Sequence, residues 1–404
     1  MEKAIPLADA ISTLLNIPIS TKTEMVSLFE AQDRILAQDI IARQNVPCFD
    51  RSPYDGYALK GDDTKTASQE MPVTLHIIEE IPAGHAPAKV ITPGAASKIL
   101  TGGMLPEGAD CIIKFESTSF TADSVTIFAP VEPGSDVVLA GEDVKKGETL
   151  ANRGIKISAA MLAVLAAQGY ETVEVFEKPR VGVITTGSEL QMPGEELQRG
   201  KIYNSNLFSI IGSIKNIGAT PVSYGIVRDE LDEIAQAMSK ALEECDCVIT
   251  TGGASVGDYD FSVRASQKVG ANVLFWKTKM KPGGAMVAAT KGGKLILSLS
   301  GNPSASLMGL HVVGTPYIKK LCGRSDLAAQ YVSVKLKNKL RKKSPNGRFL
   351  RGHLEIIGGE TFFVSHESQG NGDTLSFAGC DMIGKVPAGS PPLEAGEKIE
   401  AFFI

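Results

Sequence analysis

The pattern of apolar and polar positions divides this chain into four stretches of different texture. Between residues 179 and 320, short apolar runs alternate with longer amphipathic segments. The runs predict strands near 181–185, 222–226, 247–251, 273–277 and 294–299, and the segments predict helices near 205–217, 230–244, 260–270 and 304–320. Regular strand–helix alternation predicts a doubly wound α/β domain. In residues 1–45, PLADAISTLLN and MVSLFEAQDRILAQD both show helical spacing of apolar residues. From Val46 to about Lys146 the texture becomes short β runs (VTLHII, CIIKF, SVTIF) between Pro and Gly turns, predicting a separate β-rich domain. ISAAMLAVLAAQGYETVEVF (157–176) predicts a helix stopped at Gly169 and then a strand. From Ala328 to Ile404, YVSVKLKNKL, TFFVSH and KIEAFFI predict a small β-barrel. The expected division is 1–45 with 147–178 (helical linker region), 46–146 (β-rich), 179–327 (α/β) and 328–404 (barrel).

Three predicted strands of the α/β stretch end in related polar turns: VITTGSEL (183–190), VITTGGASVGDYD (248–260) and LSGNPSAS (299–306). A strand ending in glycines exposes backbone N–H groups where anions bind. In a parallel α/β sheet such ends share one edge, so the three turns are expected to converge on one ligand. Carboxylates beside a phosphate-binding turn make sense when a hard cation lies between acid and phosphate. Asp55, Asp143, Glu189, Asp229, Asp258 and Asp260 all sit in or beside turns, although Asp229 in RDELDEI also suits a helix cap. FWKTKMKPGG (275–284) carries Lys277, Lys279 and Lys281 at alternate positions, which in a strand puts three ammonium groups on one face. An anion pocket and a lysine-guarded sheet edge both account for that row.

Composition narrows the chemistry. At 404 residues, 43% hydrophobic and 22% charged, the chain has room for several domains of ordinary globular type. The apolar run from Ile157 to Ala167 is too short to span a bilayer, so no membrane association is expected. The N-terminus lacks a signal-peptide pattern, and six scattered cysteines without a C-x-x-C pair argue against disulfides and structural zinc, pointing to the cytoplasm. Net charge is −5, so any anion must be held by local cations and nucleic acid is not an expected partner. The basic run 335–351 lacks interleaved aromatics and suits solvated hairpin faces. Gly253-Ala254-Ser255-Val256-Gly257 matches the G-x-S-x-G nucleophile elbow, but none of His311, His353 and His366 follows in an acid–histidine setting.

FDRSPYDGYA, LTGGMLPEGAD, GEDVKKG, TTGSEL, IYNSN, DCVITTGGASVGDYD, WKTKMKPGG and LSGNPSAS, in that order, resemble the molybdopterin molybdenumtransferase family, which includes the gephyrin E domain. The resemblance covers essentially the whole chain. It implies four domains and a homodimer whose active site lies between the second domain of one subunit and the third of the other. It implies insertion of molybdate into adenylylated molybdopterin, supplied by a molybdopterin adenylyltransferase, with release of AMP and with Mg²⁺. Carried over by motif, Asp55, Thr101, Asp143, Glu189, Lys277 and Lys281 are the catalytic candidates, and Glu189, Asp229 and Asp260 the metal candidates. Thr186, Gly187, Ser205, Asn206, Thr251, Gly252, Gly253, Ser255, Gly257, Ser300, Gly301, Asn302, Pro303 and Ser304 are the candidates for binding the pterin substrate. KPGGA stands where many members read KPGKP, and LSGNPSA where many read LPGNPVS, so Gly284, Ala285 and Ser300 depart from the pattern. These departures leave a non-catalytic pterin-binding paralogue as the alternative, with a serine hydrolase using Ser255 behind it.

Overall fold

Alternating β-branched residues build the sheet that organises the α/β region. In the computed structural model, which describes residues 4–252, 259–344 and 346–404, six strands form it. They are β1 (Arg180–Thr186), β2 (Thr220–Val227), β3 (Cys247–Thr251), β4 (Asn272–Trp276), β5 (Met286–Lys291) and β6 (Lys294–Leu299). The strand order is 2-1-3-6-5-4. β2, β1, β3 and β6 are mutually parallel, whereas β5 is antiparallel to both β6 and β4. Along each strand, side chains leave on alternate faces. Val181, Val183, Ile249, Leu295 and Leu297 enter one core with Leu207, Ile210 and Ile214 of helix α1 (Ser205–Ile217). Ile184, Val248 and Ile296 enter the other with Ile234, Met238 and Leu242 of α2 (Leu231–Glu244) and Ala265 of α3 (Tyr259–Lys268). Three layers result, as the strand–helix alternation predicts. Strand β5 has no counterpart in the sequence reading, because the loop motif KPGGA masked the start of MVAATK.

The connection from β1 through α1 leads outward to β2, and the chain then returns across β1 to β3. The reversal places the C-terminal ends of β1 and β3 side by side. α1 begins at Asn204, whose Oδ1 accepts from Leu207 N at 3.2 Å, and ends at Gly218 with φ 110°. After β6 the chain runs through Pro303–Gly309, a π-helical turn over Leu310–Gly314, and Thr315–Leu321.

Five strands close the barrel: Val332–Leu336, Gly347–Ile357, Glu360–Ser365, Met382–Val386 and Lys398–Phe403. Phe363, Met382, Val386, Ile399 and Ala401 fill it. The short strand Met280–Lys281 adds to it in parallel beside Gly347–Arg348.

The chain forms two compact units. One comprises Met1–Gln38, Arg153–Ser158 and Thr172–Ile404, and so holds both the α/β sheet and the barrel. The other comprises Asp39–Asn152 and Ala159–Glu171. It is built on a six-stranded sheet ordered Cys111–Lys114, Gly56–Leu59, Ala95–Ile99, Val73–Ile81, Ser124–Ile127 and Thr118–Phe120. Tyr57, Leu59, Leu75, Val125 and Ile127 form its main core.

Two expectations are corrected. Among the described residues of 1–45, helix covers only Leu7–Leu15; MVSLF instead contributes to a strand, Thr23–Ser27, paired antiparallel with Thr172–Phe176. The helical spacing there did not mark a buried face, since Met25 is 60% exposed and Phe29 fully exposed while Val26 packs inward. A pairing partner distant in sequence overrode the local pattern. The lysine row is not a strand face either. β4 ends at Trp276, Lys277 takes a left-handed φ of 63°, and the backbone of Lys277 and Lys279 bonds Ile5 near the N-terminus.

Candidate active-site edge

The polar turns after β1, β3 and β6 meet at the edge where the chain reverses. At Gly252, directly after β3, φ is 98° and a Cβ would collide with the Thr186 carbonyl oxygen at the end of β1. Only glycine lets the two strand ends approach this closely. A Cβ on Gly301, after β6, would lie 3.3 Å from Gly252 Cα, which brings the third turn against the second. Asn206, buried in the first turn of α1, donates from Nδ2 to Gly301 O at 2.7 Å. Asn204 donates from Nδ2 to Thr185 Oγ1 at 2.8 Å, and Thr185 Oγ1 in turn donates to Gly225 O at 2.8 Å. IYNSN thus works as a cap and as a strap binding α1 to β1 and β2.

The acids gather at the same place. A Cβ on Gly187 would lie 2.7 Å from Glu189 Oε2, so the Glu189 carboxylate folds back over the turn. Asp229 Oδ2 accepts from Ser188 N at 3.1 Å. The residue at the N-cap of α2 is Glu230, not Asp229, so the capping role that RDELDEI suggests is not what Asp229 does. Lys201 Nζ donates to Ser188 O and stiffens the same turn. Beside these groups the buried Thr186 Oγ1, Thr251 Oγ1 and Asn206 Oδ1 have no hydrogen-bond partner among the described residues. Buried polar atoms left unpaired at a turn edge call for an explanation, and a ligand supplies one. Gly253, Ser255 and Gly257, and the side chain of Asp260, lie outside the described residues.

The remaining candidates are distributed differently from the motif reading. Ser205 opens α1, and Ser300 is buried with its Oγ accepting from Asn302 N at 3.2 Å. Asn302 and Pro303 start the following helix. Ser304 turns away from the edge: its hydroxyl donates to Asp373 O and lies 3.1 Å from Ser376 Oγ, and its N–H donates to Asn371 O at 3.0 Å. Ser304 therefore ties a barrel loop to the α/β region. That loop is also gripped by the fully buried Arg351, which donates to Ser368 O and Gly370 O at 3.3 and 3.2 Å.

Lys281 borders a cleft of about 810 Å³ that it shares with Lys339, Arg341, Lys342, Lys343, Arg348 and the segment 365–371. Six cations face a single carboxylate, Glu367, across that lining. Sequence reasoning assigned the basic run to solvated hairpins; the signal was its charge density, and its proximity to Lys281 is a product of the barrel closing. Gly284 carries no side chain for a geometric reason, since a Cβ there would collide with the carbonyls of Thr278 and Met280.

In the second unit, Asp55 Oδ1 accepts from both Thr101 N and Thr101 Oγ1, at 2.7 and 2.8 Å. The Thr101 backbone N–H first, then its hydroxyl, hold the Asp55 carboxyl below its ordinary value. Asp143 is exposed on a turn where its N–H donates to Val46 O at 3.0 Å.

Comparison with known proteins places these features in one family. Residues 5–169 match the MoeA N-terminal region (domain I and II), 182–320 a probable molybdopterin binding domain, and 333–404 the MoeA C-terminal region (domain IV). The molybdopterin molybdenumtransferase of Staphylococcus aureus (strain Mu50) is 35% identical over 98% of this chain and 94% of its own. That of Bacillus subtilis (strain 168) is 34% identical over 99% and 94%. The crystal structure of the molybdopterin biosynthesis MoeA protein from Pyrococcus horikosii superposes with a TM-score of 0.87 at 31% identity, covering 99% of each chain.

Proposed function

The chain belongs to the molybdopterin molybdenumtransferase family and is an enzyme of molybdenum-cofactor biosynthesis; from that premise we propose that it inserts molybdate into adenylylated molybdopterin with release of AMP, assisted by Mg²⁺. The observation that carries the reading is the joined edge of β1, β3 and β6. There the turns at Gly252 and Gly301 pack against their neighbours without room for a side chain, and the buried Thr186 Oγ1, Thr251 Oγ1 and Asn206 Oδ1 have no partner among the described residues, which supports a ligand at this edge. The pterin and its phosphates would bind along this edge.

The donor set fits a hard cation. Glu189 and Asp229 both border Gly187–Ser188, and their all-oxygen chemistry suits magnesium, which keeps several waters and takes phosphate oxygens as further ligands. Bound there, magnesium would supply Lewis-acid neutralisation of the charge that develops on the departing phosphate. Lys281 and the barrel lysines and arginines bring positive charge into a cleft large enough for a tetrahedral dianion, which supports it as the molybdate pocket. Asp55, kept ionised by its Thr101 bonds, would orient the substrate by hydrogen bonding, while the two dithiolene thiols bond molybdenum and their two protons leave with one displaced molybdate oxygen as water. Lys277 joins the phosphate contacts.

We place the enzyme in the cytoplasm as a homodimer that receives its substrate from a molybdopterin adenylyltransferase, with 46–146, 179–327 and 328–404 as its three globular domains. The exposed Leu197, Ile202, Tyr203 and Phe208 beside the edge support a second copy docking there. The test is AMP release from adenylylated molybdopterin with molybdate and Mg²⁺ titrated. Molybdate-dependent release with matching cofactor formation is expected; tight pterin binding without AMP release at any molybdate level would overturn the transferase assignment of this site.

A further inference from the structure

Asp55 has a neighbour that no motif singles out. Lys98 stands opposite Tyr57 in the antiparallel pairing of Gly56–Leu59 with Ala95–Ile99, and Glu80 stands opposite Lys98 in the parallel pairing with Val73–Ile81. Asp55 precedes that strand by one residue, which puts it diagonal to Lys98 on the same face, within reach of a long side chain. Lys98 is not a free surface lysine. Its Nζ lies 3.1 Å from Glu80 Oε2 and 5.8 Å from the Phe115 ring centroid. Phe115 is packed against Tyr57 at 5.1 Å and Phe120 at 5.7 Å, and its N–H donates to Asp55 O at 3.3 Å. The Lys98 ammonium therefore stands near an aromatic cluster whose Phe115 also bonds the Asp55 backbone.

We propose that Lys98, held by Glu80 and Phe115, is a positioning residue for the Asp55–Thr101 pair in the transferase reaction. Thr101 occupies one oxygen of Asp55 from two donors, and Lys98 supplies the positive field that holds the carboxylate in that pose with its second oxygen toward the substrate. Lys114, the other lysine of this sheet near Tyr54, pairs with Asp136 at 3.8 Å and lies over the Tyr54 ring. Lys98 also adds to the hydrogen bonds that lower the Asp55 carboxyl.

This role rests on the proposed function, so the experiment has a readout independent of turnover. In the full-length protein, the Asp55 carboxyl is titrated by ¹³C NMR, assigned with Asp55→Asn, in the wild type, Lys98→Met and Lys98→Arg. Loss of the ammonium moves the titration to higher pH in Lys98→Met, and Lys98→Arg restores it. In the AMP-release assay, kcat in Lys98→Met falls about tenfold with KM changed less than about twofold, and arginine recovers most of it. An Asp55 titration that ignores Lys98→Met overturns the proposal, as does an arginine variant no better than methionine. If the wild type releases no AMP, the transferase reading fails while the titration still decides the role of Lys98.

Discussion

Gly252 shows how much of the site rests on single backbone positions. Its φ of 98° and the Thr186 carbonyl against its α-carbon leave no room for a methyl group. Gly252→Ala is expected to cost about 3 kcal/mol in urea unfolding and to abolish pterin binding, because strain and clash act together. Gly200→Ala, at φ 83° with open space around it, is expected to cost only about 1 kcal/mol, from backbone strain alone. Asp229 makes the opposite contrast. It accepts from Ser188 N and does not cap α2, so Asp229→Ala is expected to change stability by less than about 1 kcal/mol. If Asp229 holds Mg²⁺ as proposed, the same variant is expected to raise the Mg²⁺ needed for half-maximal AMP release about tenfold. An α2 that melts at lower urea in Asp229→Ala with unchanged Mg²⁺ dependence would return Asp229 to a structural role. Both residues were legible as site candidates from TTGG and RDELDEI. Only their neighbours reveal that one sets the approach of two strands and the other the position of a turn.

At the scale of elements, the helix after β6 carries the clearest consequence. Its π-helical turn holds His311, which stacks on Phe377 with ring centroids 6.1 Å apart and borders an apolar cavity of about 550 Å³. The cavity leaves part of the imidazole uncovered, yet burial among apolar side chains pushes it down to about 4. The unfolded chain, with its imidazole near 6.5, binds a proton over that window that the native chain does not. Stability is therefore full above about pH 6.5 and declines as pH falls toward 4, by roughly 2 kcal/mol at pH 5. Urea unfolding at pH 7.5 and pH 5 checks this: His311→Leu is expected to lose less on acidification than the wild type, and an equal loss would assign the pH dependence elsewhere. No periodicity marked this histidine, because its shift comes from Phe377 and the barrel packing on a helix. The same dependence on packing explains MVSLFEAQDRILAQD, whose helical spacing yielded to a strand partner at Thr172–Phe176.

At the scale of the molecule, an acidic protein of net charge −5 concentrates cations in one cleft. Lys342→Ala with Lys343→Ala is expected to weaken molybdate or tungstate binding about tenfold at low salt and to flatten its dependence on ionic strength, measured by calorimetry. Unaltered affinity with an unaltered salt response would move the oxyanion out of the cleft. The sequence by itself determined the doubly wound strand–helix alternation of the α/β region, the turns after β1, β3 and β6, the Asp55 and Thr101 motifs and the barrel. Each of these is written in local periodicity, in glycine at strand ends, or in short motifs with their own spacing. Only the tertiary structure decided that Ser304 holds a barrel loop, that Lys277 leaves the strand face, and that Lys281 faces the run 339–343. It alone also set Lys98 beside Asp55. The physical reason is common to all four: such contacts join segments remote in the chain, and their partners are chosen by strand pairing and barrel closure, to which a local pattern of residue types is blind.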